Sequence, residues 1–342
     1  MGLGTAQTGV IVADKWIPQQ WQDEAIATYM AKTVMRNLVS TMTHSKHKGD
    51  SIIFPKPARG DATAKAVNTQ VTLIADTATD ITLTINKHYE YSKMYEDIAD
   101  MMALNGMKKF YTKDAGYALA RRVDAELFKL MAGMNGGSIA GATNLFETGV
   151  IGGDGSTAFA GSSSGNGTAL TDAGLRTAIQ ELEDSDVDSS ELNFVVPPTV
   201  IKTLRGIARF TEQAFRGDGD ALKTGRVGNL YGVEVFASSL CPWIHCNSTT
   251  NTQSVNFSGT TLSGAAEVDE FGLTVDHSAG TETKYRACAL IHEDAIMMAE
   301  MQAIRVQQQY KQEYLGYLVT ADTIFGVVEM RDYAALSVIV PA

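Results

Sequence analysis

Two short runs near the start of the chain read as strands, and what lies between them limits the fold more than any other feature. The run from Ser51 to Phe54 is apolar and ends against Pro55 and Pro57, which predicts a strand stopped by proline. Ile81, Leu83 and Ile85 alternate with Thr82, Thr84 and Asn86, the period of a strand with one buried face. About 26 mostly polar, Thr- and Ala-rich residues separate them. A two-stranded excursion of that kind has no sheet face to bury and is marginal alone in water. The stretch therefore reads either as disordered or as lying across another subunit.

The rest of the composition supports a folded body. Of 342 residues, 44% are hydrophobic and 20% charged, enough for a sizeable core in one large or two modest domains. No apolar run approaches the roughly 18–20 residues of a membrane span, so no membrane partner is expected. The first residues, MGLGTAQTGVIVADKW, lack the basic and apolar regions of a secretory signal. Three cysteines are too few for a disulfide scaffold and suggest a reducing compartment. The net charge of −11 is uneven. Residues 1–134 hold 16 Lys and Arg against 14 Asp and Glu, giving +2, while residues 135–342 hold 12 against 25, giving −13. An acidic second half is a poor grip for phosphates, whereas the first half tolerates nucleic acid nearby.

Along the chain, residues 1–16 read as an arm, and residues 16–39 as a helix opened by Pro18, with Ile26, Met30, Val34 and Leu38 as its apolar stripe. Residues 92–103 read as a short helix. Residues 104–134 read as a long one, with Tyr111, Ala115, Leu119, Val123, Leu127 and Met131 four apart. Four residues turn about 400°, so this stripe drifts about 40° per step and winds round the helix, as contact on more than one side requires. Lys108, Lys109, Lys113, Arg121, Arg122 and Lys129 make the rest of that helix basic. Residues 135–169 read as a Gly- and Ser-rich loop. Thr171-Asp172 predicts a capped helix to about Asp184. LNFVVPPTVIKTLRGI predicts a buried strand, a Pro-Pro break and a short helix, and VGNLYGVEVFASSLCP a Gly-marked turn into a strand. Residues 247–283 read as β-loops, and the last sixty residues supply long strands. The class is α+β.

Each chemical motif fails on context. Gly161-Ser-Ser163-Ser-Gly165 spells a nucleophile elbow but lies within a linker-like run with no strand–turn–helix around it. Asp184, Asp186 and Asp188 open like a calcium loop, but Ser189 stands at its sixth position and Val195 at its twelfth. Cys241, His245, Cys246 and Cys288 match no usual zinc spacing, and His44 and His47 sit in a basic turn. Arg59-Gly60-Asp61 and Arg216-Gly217-Asp218 read as chance at glycine turns. His292-Glu293 has no accompanying nucleophile. No catalytic, cofactor-binding or metal residue is assigned, and no cofactor is expected.

The order of segments resembles the major capsid proteins of tailed bacteriophages with the Hong Kong 97-type fold, and within them those of short-tailed phages. WIPQQWQDEAI and MAKTVMRNLV resemble the N-terminal arm and helix. GDSIIFPKPARGDATA followed by ITLTINKHYEYSKMYEDIADM resembles the extended loop. YALARRVDAELFKLMAG resembles the end of the spine helix, with Asp124 where such proteins often carry Asp. VGNLYGVEVFASSLCP resembles an axial-domain strand, and HEDAIMMAEM and DTIFGVVEMRDYAALSVIVPA the closing strands.

The resemblance implies a division into an arm and helix (1–45), an extended loop (46–91), a peripheral domain with the spine helix (92–165), an axial domain with a variable loop at 247–283 (166–300) and closing peripheral strands (301–342). It implies a coat subunit that is no enzyme, forming hexamers and pentamers of an icosahedral shell round double-stranded DNA. Its implied partners are itself, portal, scaffolding and decoration proteins, and DNA held without sequence preference on the inner face. Its implied place is the virion, assembled in the bacterial cytoplasm. The rival readings are an encapsulin-like nanocompartment of the same fold, and a hydrolase using Ser163 or a metalloenzyme at Cys241 and His245.

Overall fold

The computed structural model describes residues 33–43, 49–56, 60, 62–71, 73, 79–96, 107–137, 145–146, 149–159, 165–207, 229–247, 252–256, 267–268, 274–275 and 282–342. Of the expected first helix only its end lies among them. Met35–Leu38 form a 3-10 turn that leads into strand β1, Ser40–Thr43. Strands β2, Ser51–Lys56, and β3, Thr79–Thr84, pair antiparallel as a two-stranded ribbon. β2 continues through Pro55, which stands opposite Asp80, instead of stopping there. A ribbon edge needs no N–H at that position, so proline is tolerated.

β4 spans Lys87–Glu96, which corrects the helix expected from residue 92. Tyr89, Tyr91 and Tyr95 share one strand face, and the strand pairs along its length with β15, Gly316–Glu329. Period-2 aromatic packing outweighs the helical pattern there; residues 97–106 lie outside the described residues. The long helix follows as α1, Met107–Leu130. Its winding stripe is present from Ala115 onward: Ala115 and Leu119 pack with Ala321 of β15, while all of Val123–Phe128 is buried and the apolar members join the main core.

Two sheets make the body. The smaller has the order β1, β14, β15, β4, with β14 spanning Ile296–Lys311 and only β1 running parallel to its neighbour. The larger has eight strands. Its main path runs β10 (Thr252–Asn256), β9 (Trp243–Asn247), β13 (Glu282–His292), β6 (Leu192–Val196), β8 (Val233–Ala237), β7 (Asn229–Leu230). β16, Ala335–Pro341, joins β13 on one side and β5, Val150–Gly152, on the other. β14 runs unbroken through residue 300, and β16 belongs to the larger sheet. Its sequence, ALSVIVP, has six consecutive buried residues, the pattern of a strand covered on both faces.

Alternation in β13 and β16 shows what covers each face. Cys288, Leu290, Leu336, Val338 and Val340 pack with helices α2 (Asp172–Glu183) and α3 (Pro198–Arg205). Ala287, Ala289, Ile291 and Ile339 face the core shared with α1 and the smaller sheet. The Ser337 hydroxyl donates to the Met131 carbonyl at 3.0 Å, tying β16 to the end of α1. The capped helix is as expected: Thr171 Oγ1 accepts the Gly174 N–H at 3.0 Å. The β7–β8 hairpin turns on Tyr231 and Gly232, both at positive φ, as a tight primed turn requires.

Candidate assembly surfaces

Among the described residues, two parts of the fold carry several apolar side chains each into solvent. The first is the β2–β3 ribbon with the chain between its strands. Ile53 is 60% exposed, Val67 89%, Val71 63% and Leu73 90%. Single exposed apolar residues are ordinary on a protein surface, but four on one excursion leave much apolar area in solvent. The root of the ribbon is held by close backbone approach: a methyl group at Gly326 of β15 would stand 2.5 Å from the Thr84 carbonyl oxygen. Beside this root lies a cleft of about 260 Å³ lined by Thr82, Thr84, Asn86, Lys87, Glu126, Lys129, Leu130 and Val327.

A polar network closes the cleft against α1. Lys87 Nζ lies 2.6 Å from Glu126 Oε2, and the Tyr89 hydroxyl donates to Glu126 Oε1 at 2.6 Å. Arg122 reaches the same carboxylate at 3.4 Å and lies over the Tyr89 ring. Burial works against the Glu126 carboxylate, yet Lys87 and Tyr89 hold its pKa below the ordinary value. The basic face expected on α1 is thus partly spent within the fold. Arg122 faces the sheet, Arg121 and Lys129 are half-buried, and Lys113 is exposed. The side chains of Lys108 and Lys109 lie outside the described residues.

The second surface is the distal end of the β14–β15 hairpin. The β14 half next to the body, Ile296–Ala299, is mostly buried, and from Met301 onward the strand is mostly exposed. Between Glu300 and Arg305 the register slips twice, so β14 uses two more residues than β15. Such bulges bend a strand and increase its twist. Asp322 holds the bend: its carboxylate accepts from Arg305 Nε at 3.1 Å, Arg305 Nη2 at 2.9 Å and Gln302 Nε2 at 2.7 Å. Beyond it, Tyr317 packs against Tyr95 and Tyr310, and Val306, Tyr310, Tyr314, Leu315 and Met94 are exposed.

Arg305 and its neighbours hold the Asp322 carboxyl below its ordinary value. A carboxyl lowered in the folded state stabilises it above the unfolded value of about 4, and that contribution is lost as pH falls through the lowered value. We expect Asp322→Asn to cost about 1 kcal/mol at pH 7 and less near pH 3, because Arg305 is half-exposed and partly screened. Chemical denaturation of both proteins at the two pH values measures this.

Among the described residues the chemical motifs share no common site. Ser163 and Gly161 lie outside the described residues, and after Gly165 the next helix begins only at Asp172, so no elbow-type strand–turn–helix is present there. Asp184 is the C-cap of α2, Asp186 takes a left-handed backbone, and Asp188 Oδ1 accepts the Ser190 N–H at 2.9 Å. These acids are spent on caps and turns. Cys241 and Cys246 lie in the core on one face of the larger sheet and Cys288 on the other, so they share no centre. Burial pushes the Cys241 thiol up to about 12 and the Cys288 thiol well above its ordinary value, the state of inert core cysteines. His245 is buried beside them on β9. Among the described residues no cluster of three potential metal ligands exists. His292 Nδ1 accepts the Asp294 N–H at 3.1 Å and Nε2 lies 3.2 Å from Glu191, which orders a turn. His44, His47, Arg59, Asp61 and residues 216–218 lie outside the described residues. What sequence reading missed is the Asp322 clasp, whose partners meet only through a bulge.

No curated protein matches the chain. Solved structures do. The chain is similar to a structure from Mycobacterium phage Che8 at 17% identity and TM-score 0.65, covering 94% of this chain and 97% of that one. It is similar to the capsid structure of the cyanophage P-SCSP1u at 16% identity and TM-score 0.65, covering 96% and 93%. It is similar to the head structure of Helicobacter pylori bacteriophage KHP40 at 11% identity and TM-score 0.66, covering 99% of each. At such identities the likeness shows the fold, the α+β capsid fold of the Hong Kong 97 type. The family described as phage capsid protein matches residues 13–337, nearly the whole length, and the chain therefore belongs to that family, as a major capsid protein.

Proposed function

We propose that copies of this chain assemble as hexamers and pentamers into an icosahedral shell around double-stranded DNA. The carrying observation is the set of apolar side chains displayed by the β2–β3 ribbon, with Val67 and Leu73 about nine-tenths exposed. Burying one such side chain is worth about 1.5–3 kcal/mol. Leu83 of the ribbon is buried at its root, whereas the exposed side chains beyond it gain that energy against a second copy. In this reading the ribbon and residues 57–78 are the extended loop, and α1 is the spine helix. The smaller sheet is peripheral, and the larger sheet with α2 and α3 is axial.

Each contact can be weak, because many act together in a closed lattice. The subunit's role is mechanical and needs no catalysis. Lys113 and Arg121 face packaged DNA on the inner side, where their charge is useful without base recognition. Assembly takes place in the bacterial cytoplasm with portal and scaffolding proteins, and decoration proteins bind outside.

Negative-stain microscopy of the purified chain, alone and with a scaffolding partner, tests this. Closed shells, capsomer-sized rings or aberrant sheets are expected. A uniform monomer at high concentration under both conditions overturns it. Shells filled with protein cargo and no nuclease-protected DNA would favour a nanocompartment instead.

A further inference from the structure

Asp124 lies on the part of α1 that faces the core, 1% exposed, and its carboxylate serves a segment ninety positions earlier in the chain. Oδ2 accepts the Val34 N–H at 2.8 Å, and Oδ1 accepts the Arg36 N–H at 3.4 Å. These N–H groups open the 3-10 turn at Met35–Leu38, where the turn's own carbonyls cannot reach them. No side chain of the segment caps it: Val34 stands at the cap position and makes no side-chain hydrogen bond there. The capping group is supplied by α1.

The same segment is fastened to β14 as well. Arg36 Nη2 lies 2.7 Å from Glu300 Oε2. Ser40–Thr43 pair in parallel with Met297–Glu300. Val34, Met35, Leu38 and Val39 are buried in the core that also holds Val123, Leu127 and Phe128.

We propose that Asp124 is a releasable latch that fixes residues 33–43 to α1. The use of such a latch in assembly rests on the reading of this chain as a shell subunit. The latch itself does not.

The segment is separable in a way the core strands are not. β1 has four residues, sits at the edge of the smaller sheet, and three of the four are exposed. β13 of the larger sheet, by contrast, pairs with β16, β6 and β9. Edge elements of this kind open locally at lower cost than the body. The carboxylate is also poorly compensated. Burial raises its pKa above the ordinary value despite the backbone N–H groups and Arg36, so the ionised form is held at some cost. Cys241, the other titratable group coupled to it, stays a neutral thiol. A subunit that occupies non-equivalent positions in a shell needs an edge segment that can shift without unfolding the body, and a buried carboxylate that caps such a segment is one fastening that can be released.

Hydrogen–deuterium exchange on the unassembled subunit tests the latch, with Asp124→Asn as the first variant. Asparagine keeps the shape but offers one acceptor where two were used. Exchange in residues 33–43 is expected to rise about ten-fold, the effect of losing a charged hydrogen bond, while residues 285–291 of β13 stay unchanged. Should that variant fail to fold, Asp124→Glu decides, since it keeps a carboxylate but displaces it from the Val34 and Arg36 N–H groups. It is expected to raise exchange in residues 33–43 severalfold. Unchanged exchange there, or an equal rise in β13, overturns the latch. Electron microscopy of assemblies of the same variants reads the second claim: altered particle size or yield supports a role in assembly. Faster exchange with unchanged particles leaves the latch standing and overturns its use in assembly.

Discussion

Deleting residues 58–76 is expected to abolish closed particles while leaving a soluble, cooperatively folded subunit. The cut joins Pro57 to Thr77, and Lys56 already stands opposite Thr79 in the ribbon. The three residues left, Pro57, Thr77 and Ala78, are a sufficient hairpin connection. What is lost is Val67, Val71 and Leu73, none of which the subunit buries. Their removal costs the isolated fold little. In a lattice, losing about 2 kcal/mol at each contact weakens that contact about 30-fold, and the loss recurs at every subunit. Thermal unfolding of the purified subunit and microscopy of assembly reactions are the two measurements. Loss of the folded subunit would show that the excursion belongs to its own core, and normal shells would show that the excursion makes no contact between copies.

The second large effect is on the subunit itself. Phe128→Ala is expected to destabilise it by about 3–5 kcal/mol, from lost apolar burial and the cavity left behind. Phe128 is 1% exposed and belongs to the core that joins α1, the smaller sheet and one face of the larger sheet. Domains are commonly stable by only 5–15 kcal/mol, so this is a large share. Urea unfolding measures it. A cost below about 1 kcal/mol would mean that α1 is not packed into the body as described. The two variants separate: the deletion removes contacts between copies and spares the monomer, whereas Phe128→Ala weakens the monomer first.

Comparing elements shows which physics each level carries. The α2 helix was legible from the sequence because its signals are local: Thr171 caps it, and an acidic residue follows in the first turn. The Pro-Pro break before α3 was legible for the same reason, since proline acts on its own backbone. The drift of the α1 stripe was legible because helical geometry converts sequence spacing directly into direction. The failure at residues 92–96 came from two periodicities competing over a short run, with the choice made by β15 across the sheet. β14 gives no local sign of an end at residue 300 and continues through it.

The sequence by itself determined the class of the fold, the long helix, and a polar excursion whose described apolar side chains its own chain leaves exposed. These follow from local backbone preference and hydrophobic period, both of which are written in order along the chain. Only the tertiary structure decided that Asp124 caps the turn at residues 35–38, that Asp322 clasps the bulge in β14, and that Arg122 turns inward to Glu126. Each of those joins partners that are remote in sequence or displaced by a bulge or a helix rotation. A charged side chain does not announce its partner, because electrostatic and hydrogen-bonding choices are made only after packing has set the distances.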